Sequence, residues 1–328
     1  MTTFDEKYDF TAKTKRNLAI LLVAGVVLLV AGIFTTQGGG HEAAGEHAGV
    51  AAAHDLVAST TMVSEGAAET GAAHHETATW LKRLIADLWI NNMFFVGLGI
   101  IGVFFFAIQY ASQSAWSTGM LRVSMAIGNW LPIAFVLILG VFWFGKHDLF
   151  HWTHEYLYDP NSPQYDPIIA GKQAYLNMPF YLARMVVFLV VWYMFFMYMK
   201  KHALAEDLEG GVDHWKKIRS ASAWFLVFFA VSSSMAAWDW VMSIDTHWFS
   251  TMFGWYTFSS WWVSGLAMIT LLVIYLKEKG YLSIVNANHL HDIGKFIFGF
   301  SIFWTYLWFS QFLLIYYANI PEETVYFV

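Results

Sequence analysis

Long apolar runs separated by short polar segments form the main pattern in the chain. About 20 consecutive apolar residues are enough for a helix to cross the hydrocarbon core of a bilayer. Seven such runs occur, at residues 18–36, 88–110, 121–145, 178–199, 223–244, 253–276 and 296–318. Each is expected to be helical, because lipid offers the backbone no hydrogen bonds and the runs lack the alternation of barrel strands. The pattern predicts an all-α integral membrane protein with about seven transmembrane helices.

The same pattern divides the chain into four regions. Residues 37–79 differ from the rest, because they are rich in Ala, Gly, His and Glu and contain no aromatic residue, Lys or Arg. This composition cannot bury enough apolar surface to fold alone and predicts a flexible loop. Its histidines would allow a metal site, and a solvated tether is the alternative. The predicted regions are a cytoplasmic tail at 1–17, a first transmembrane helix at 18–36, an external loop with an interfacial helical segment (80–87) at 37–87, and a six-helix transmembrane region at 88–328.

A second polar segment, residues 146–177, is of another kind. Within it, residues 147–167 read HDLFHWTHEYLYDPNSPQYDP, which is dense in His, aromatic residues and Pro. Pro160, Pro163 and Pro167 exclude a continuous helix there, because proline removes a backbone donor and clashes with the preceding turn. The aromatic side chains predict packing on the bundle or on a partner subunit.

Composition excludes several classes of protein. The chain is 58% hydrophobic and 13% charged, whereas a soluble domain carries about a quarter charged residues. It contains no Cys, which excludes disulfides, iron–sulfur ligation and covalent haem attachment by this chain. The net charge of -6 and the lack of a basic stripe argue against nucleic acid as a partner. The first apolar run has bilayer length and no small-residue cleavage site after it, so it is not a cleavable signal.

Lys and Arg are distributed unevenly among the predicted loops, and cytoplasmic loops carry the excess in membrane proteins. One side collects Lys7, Lys13, Lys15, Arg16, Arg122, Lys200, Lys201, Lys216, Lys217, Arg219, Lys277, Lys279 and Lys295. The other side has Lys82, Arg83, Lys146 and Lys172. This asymmetry predicts a cytoplasmic N-terminus, with residues 37–79 and 146–177 outside.

Two ionisable residues lie inside predicted spans, where charge is costly and therefore informative. At about 1.5 Å rise per residue, Arg184 lies ~7 Å outward of the centre of the fourth span, and Asp239 lies ~8 Å outward in the fifth. The two spans are antiparallel neighbours in sequence, so the matched depth predicts a buried ion pair. A role in proton movement and a purely structural pairing are both compatible with this pattern.

Further candidates for proton exchange lie at the predicted outer edge of the membrane. Asp245 and His247 follow the fifth span, and His147, Asp148 and His151 end the third. If the third helix continued, His147, His151 and His154 would share a face, where imidazoles bind metal, ligate haem or relay protons. A haem between helices is not expected, because the hydrophobic cores of the last four spans contain no His. A proton-exchange cluster or a partner-binding surface is favoured.

Two segments resemble a known family. Residues 232–265, SSSMAAWDWVMSIDTHWFSTMFGWYTFSSWWVSG, are similar to the F subunit of bacterial alternative complex III, a quinol:cytochrome c oxidoreductase. Residues 319–327, NIPEETVYF, and the aromatic loop after the third span are similar to it as well. More distantly, the chain resembles NrfD-like (polysulfide reductase) membrane anchors.

The resemblance implies a setting in the bacterial inner (cytoplasmic) membrane. The expected partners are lipid, a sister NrfD-like quinol-binding membrane subunit, and external multihaem cytochrome c and iron–sulfur subunits. No cofactor is expected on this chain, and haem c, iron–sulfur clusters and quinol belong to the partners. Members of the family form two four-helix bundles, so we expect one four-helix bundle plus part of a second here, in a sequence that continues beyond residue 328.

Overall fold

The computed structural model describes residues 10–38, 79–320 and 323–324. These residues form helices and turns without any strand, and seven helical stretches are long and apolar enough to cross a membrane. The prediction of an all-α, multi-pass membrane protein is thereby confirmed. The α-helices are α1 (Ala12–Gly38), α2 (Thr79–Ser112), α3 (Leu121–Ile127), α4 (Leu131–Leu149), α5 (Pro167–Gly171), α6 (Met178–Glu209), α7 (Asp213–Trp240), α8 (Phe253–Glu278) and α9 (Ala287–Ala318).

The first compact unit, residues 1–84, contains α1. The described side chains of α1 are nearly all exposed, although its span has a mean hydropathy of 2.7. Most of the predicted loop at 37–87 lies outside the described residues, as do the first nine residues of the tail. Residues 80–87 are not a separate interfacial helix, because α2 begins at Thr79 and continues without a break.

The second unit, residues 85–328, is built around α2, whose span is the most buried of the seven. Small residues let neighbouring helices approach α2 closely, as is common where helices pack in membranes. A Cβ added to Gly102 would lie 2.4 Å from the Ser124 carbonyl oxygen of α3, and one added to Gly97 would lie 2.2 Å from the Trp261 ring of α8. The helices α4, α6, α7 and α8 all contact α2, through the pairs Asn92 and Ala134, Tyr110 and Glu206, Phe104 and Phe229, and Phe104 and Trp262.

The third span is interrupted where α3 meets α4. A 3-10 turn at Gly128–Trp130 joins the two helices, and Pro132 occupies the first turn of α4. Proline is tolerated there because the first amides of a helix have no intrahelical partner. The helix α8 packs on α7 as well as on α2, and α9 packs on α8. Only 11% of the α9 span is buried, so most of its apolar surface is uncovered.

The loops of the second unit gather at two ends. The segments 150–177 and 241–252 meet at what we call the aromatic-loop end, where Asp166 bonds His247. The segments 113–117, 210–212 and 279–286 lie at the opposite, basic end, where Arg122 at the start of α3 pairs with Asp207 at the end of α6. The Lys and Arg residues predicted on one side in this unit therefore do lie at one end. Which end faces the cytoplasm stays a prediction.

The aromatic loop 150–177 packs on the helices of the second unit, which is one of the two alternatives that the sequence predicts. Phe150 and Trp152 are fully buried, and the Trp152 ring lies 5.0 Å from the Tyr181 ring of α6. The longest helix within the loop is α5, and Asp166 caps it by accepting hydrogen bonds from the amides of Ile168 and Ile169. The exclusion of a continuous helix by proline is confirmed.

Candidate functional site at Arg184 and Asp239

Arg184 of α6 and Asp239 of α7 form the buried ion pair that the sequence predicts. The Nε–Oδ2 distance is 2.7 Å and the Nη2–Oδ1 distance is 3.0 Å, so two parallel hydrogen bonds join the groups. Their side chains are 6% and 1% exposed. Two bonds in this fork geometry give strong and directional pairing. Either group without the other would be a buried, uncompensated charge.

Aromatic and backbone groups complete the coordination of Arg184. Its Nη1 donates to the Tyr175 carbonyl oxygen at 3.0 Å. Its Cζ lies 3.8 Å from the centre of the Tyr175 ring and 4.3 Å from that of Phe180. A guanidinium over an aromatic face is attracted by the ring quadrupole, and the attraction grows where water is excluded. Arg184 is therefore fixed in position independently of Asp239.

The end of α7 is tied to its neighbours through its last carbonyl groups, which have no partner within a helix. The Asp239 carbonyl accepts hydrogen bonds from the Tyr181 hydroxyl at 3.1 Å and from Ser243. The Trp240 carbonyl accepts from Trp89 Nε1 of α2 at 2.9 Å. The backbone that carries Asp239 is thus held by side chains from α2 and α6, which fixes the depth and direction of the carboxylate.

A cavity of about 350 Å³ lies next to the pair at the aromatic-loop end. It is lined mainly by aromatic and polar side chains, including Tyr175, Trp238, Ser243, Asp245 and Lys172. Trp238 Nε1 is buried and has no hydrogen-bond partner among the described residues. The Tyr175 hydroxyl is also buried and lies beside the Asp239 carboxylate. Burial, and next the negative charge of Asp239, raise the pKa of the Tyr175 hydroxyl, so it remains a donor at neutral pH. The cavity wall nearest the pair therefore carries a protonated phenol next to Asp239.

Charged groups surround the outer part of this cavity. Lys172 donates to the Thr246 carbonyl oxygen, and burial lowers the pKa of its ammonium group while Asp245, Glu323 and Asp166 oppose that shift. Asp166 is 2.5 Å from His247 Nε2. Partial burial raises the pKa of Asp166, but hydrogen bonds from Ile169, His247 and Ile168 outweigh it, so the net shift is downward. Asp245 lines this cavity, whereas His247, which pairs with Asp166, is not among its lining residues.

The remaining predicted residues form a separate histidine cluster. The expectation of a shared helical face is corrected, because α4 ends at Leu149 and His151 begins a 3-10 turn. The fold still brings the rings together: the His147–His154 centroids are 5.3 Å apart and the His151–His154 centroids 5.8 Å. His147, Asp148 and His151 are exposed, and none of them lines the cavity beside Asp239. In residues 10–38, 79–320 and 323–324, no cluster of three His, Asp or Glu side chains is placed to hold a metal ion.

An aromatic stack separates the pair from the basic end. Trp240 follows Asp239 and contacts Trp192 at 5.8 Å between ring centroids. Trp192 contacts Phe229 at 5.6 Å, and Phe229 contacts Phe225 at 5.5 Å. All four rings are fully buried. Charged and polar side chains therefore border the cavity on one side of the pair, and buried aromatic rings, with Ser232 accepting a hydrogen bond from Trp192 Nε1, lie on the side toward the basic end.

Two polar networks at the basic end were missed by the sequence reasoning. The Tyr110 hydroxyl donates to Glu206 at 2.5 Å, and Arg122 makes a two-bond pair with Asp207. His202 Nδ1 and His214 Nδ1 are 3.0 Å apart, and His214 Nε2 is 2.9 Å from Glu209. In the sequence these charged residues flank the spans, where charged side chains are ordinarily taken to be in water. Their pairing becomes visible only when the structure brings the ends of the helices together.

The chain was compared with protein families and with characterised proteins. No family model matches it, and no curated protein sequence matches it either.

Proposed function

We propose that this chain is a membrane subunit of a quinol-oxidising respiratory complex in the bacterial cytoplasmic membrane. In this proposal it anchors external cytochrome c and iron–sulfur subunits beside a sister quinol-binding subunit, with its N-terminus in the cytoplasm. The resemblance of residues 232–265 supports the proposal, and the same segment supplies Asp239 and much of the cavity wall. Haem c and iron–sulfur clusters are assigned to the partners because the chain has no Cys, and quinol is assigned to the sister subunit because the resemblance implies it.

The surface of α9 is largely uncovered, since its span has a mean hydropathy of 1.4 and 11% of it is buried. In a membrane such apolar surface is covered by lipid or by the helices of other subunits. The helix α9 is therefore compatible with a contact to another membrane subunit.

We further propose that Asp239 exchanges protons with the aromatic-loop end. The observation that carries this proposal is the position of the Arg184–Asp239 pair between a cavity bordered by Lys172, Ser243 and Asp245 and a buried aromatic stack. Intramembrane ion pairs that adjoin polar cavities commonly serve proton relays. The proposed proton route runs only between Asp239 and the aromatic-loop end. Its other end is closed by the stacked rings of Trp240, Trp192, Phe229 and Phe225.

A purely structural anchor is the principal alternative. The two-bond geometry and the cation–π contacts of Arg184 favour it, because a fully satisfied pair locks α6 to α7. A secondary transporter is a further alternative. Transporter sites use paired interrupted helices, whereas only the span of α3 and α4 is interrupted among the seven described ones.

The test uses the intact complex purified from membranes and placed in proteoliposomes. Quinol oxidation with cytochrome c as acceptor is measured together with the change in external pH, for the natural chain and for Asp239→Asn. The proposal expects electron transfer to continue while proton release per electron falls. Equal proton release in the variant would favour the structural anchor, and failure to co-purify with any haem protein would reject the respiratory assignment.

A further inference from the structure

A groove of about 480 Å³ lies between α6 and α7 near the basic end. Its α6 wall consists of Val191, Met194, Phe195 and Tyr198, and its α7 wall consists of Lys217, Ser220, Ala221 and Trp224. Both sets follow the spacing i, i+3, i+4, i+7, so each is one continuous face of its helix. The groove therefore runs along two antiparallel helices and opens on their outer surface.

The two ends of the groove differ in polarity. Lys217, Ser220 and Tyr198 supply an ammonium group and two hydroxyl groups at the end near the α6–α7 turn. Met194 and Trp224 lie one helical turn further from the α6–α7 turn. They are 63% and 69% exposed and present apolar surface. The cationic end of the groove suits the charged headgroup of a phospholipid, and its apolar wall suits an acyl chain.

Lys217 makes no ion pair with any described residue. Glu206 and Asp207 are held by Tyr110 and Arg122, and Glu209 is held by His214. Asp213, one turn before Lys217 on α7, is exposed and forms no ion pair with it. Lys201 and Lys217 both place positive charge near His202. The mouth of the groove therefore carries a Lys217 charge that no ion pair within the described residues neutralises.

We propose that this groove binds an anionic phospholipid. The headgroup phosphate accepts hydrogen bonds from Lys217, with Ser220 and Tyr198 as further donors, and one acyl chain lies along Met194 and Trp224. Basic pockets between transmembrane helices bind anionic headgroups in this way. A transmembrane helix of a partner is the less suitable occupant, because it would bury Lys217 without an acidic counterpart from this chain.

The first experiment is native mass spectrometry of the full chain in detergent, titrated with phosphatidylglycerol or phosphatidylcholine. Lys217→Gln is compared with Lys279→Gln, a matched loss of charge at the basic end outside the groove. We expect Lys217→Gln to raise the Kd for phosphatidylglycerol about fivefold, the factor equivalent to about 1 kcal/mol per basic residue. Lys279→Gln should leave it unchanged, and phosphatidylcholine should bind more weakly. An unchanged Kd in Lys217→Gln, or an equal effect of both substitutions, would overturn the proposal.

The second experiment locates the acyl chain. Membranes that contain phosphatidylglycerol with a photoactivatable group on one acyl chain are irradiated, and the labelled peptides are mapped. Labelling at Met194, Phe195 or Trp224, reduced in Lys217→Gln, is the expected result. Labelling confined to other helices, or crosslinks from these residues to a second protein, would assign the groove to another occupant and reject the phospholipid.

Discussion

Arg184 and Asp239 are joined by two parallel hydrogen bonds across the α6–α7 interface, at 2.7 and 3.0 Å, in the half of that interface nearer the aromatic-loop end. Arg184 also donates to the Tyr175 carbonyl oxygen and stacks on the Tyr175 ring. The backbone carbonyl of Asp239 accepts a hydrogen bond from the Tyr181 hydroxyl. It is therefore the point at which α6, α7 and the aromatic loop are held together. Its removal has consequences for stability that are separable from any proton chemistry.

Breaking one side of this pair should cost more than removing both. Asp239→Asn leaves the Arg184 charge buried, which costs about 3–5 kcal/mol when a buried pair is broken. Arg184→Gln combined with Asp239→Asn leaves two neutral amides that can bond each other, so much of that loss should be recovered. The free energy of unfolding in detergent, measured for both single variants and the double variant, gives the interaction energy. Additive effects of the two substitutions would show that the groups are not coupled.

The sequence predicts the seven spans and this pair well, because both follow from regular features. Hydrophobic length identifies a span, and helical rise places Arg184 and Asp239 at the same depth. Tyr175 could not be predicted as a contact of Arg184, because it lies in an irregular loop where no periodicity relates position to direction. The histidine cluster shows the same limit: the expected helical spacing ends at Leu149, and the 3-10 turn that replaces it is set by packing of Phe150 and Trp152 on the bundle.

Gly265 should not tolerate even a methyl group. A Cβ there would lie 2.1 Å from Ile101 Cγ2, between α8 and α2, so Gly265→Ala must push the two helices apart. Overpacking of this kind typically costs about 1–3 kcal/mol. Gly294→Ala in α9 is the matched control, since no atom lies within 4 Å of its added Cβ. The melting temperature in detergent should fall for Gly265→Ala and stay the same or rise for Gly294→Ala; equal behaviour would contradict the close approach of α2 and α8.

The orientation can be tested with single cysteines, because the natural chain has none. Gln164→Cys lies in the exposed part of the aromatic loop, and Lys216→Cys lies near the start of α7 at the basic end. If the excess of Lys and Arg faces the cytoplasm, a membrane-impermeant maleimide should label Gln164→Cys in intact cells. Lys216→Cys should react only after permeabilisation. The reverse pattern would invert the topology.

Asp166 should stabilise the aromatic loop in two separable ways. As the cap of α5 it accepts hydrogen bonds from Ile168 and Ile169, and as a carboxylate it pairs with His247. Asp166→Ala should cost ~1 kcal/mol from the cap alone, whereas Asp166→Asn keeps a good capping residue. Hydrogen exchange at the amides of Ile168 and Ile169 should therefore accelerate in the alanine variant and much less in the asparagine variant.

The pH dependence of that contribution follows from the lowered pKa of Asp166. A carboxyl group whose pKa is lower in the folded than in the unfolded state stabilises the fold above the unfolded value, about 3.9 for Asp. The stabilisation is lost as the pH falls below that value and through the folded pKa. Exchange protection at Ile169 relative to Asp166→Asn should be constant from neutral pH down to about 5 and decline only below about 4. A decline that begins above about pH 5 would show that the Asp166 carboxylate is not its source.

Tyr175 distinguishes a proton route from a structural lock, because its ring and its hydroxyl have different partners. The ring stacks on the Arg184 guanidinium at 3.8 Å, and the buried hydroxyl borders the cavity and lies beside the Asp239 carboxylate. Tyr175→Phe keeps the ring and removes only the hydroxyl, so the melting temperature should change by no more than ~2 °C. If the hydroxyl carries protons between Asp239 and the cavity, proton release per electron in the reconstituted complex should fall in this variant. Tyr175→Leu, which also removes the cation–π contact, should lower both the melting temperature and proton release. Proton release that is normal in Tyr175→Phe and falls only where stability falls would show that the Arg184–Asp239 site holds α6 to α7 and does not conduct protons through Tyr175.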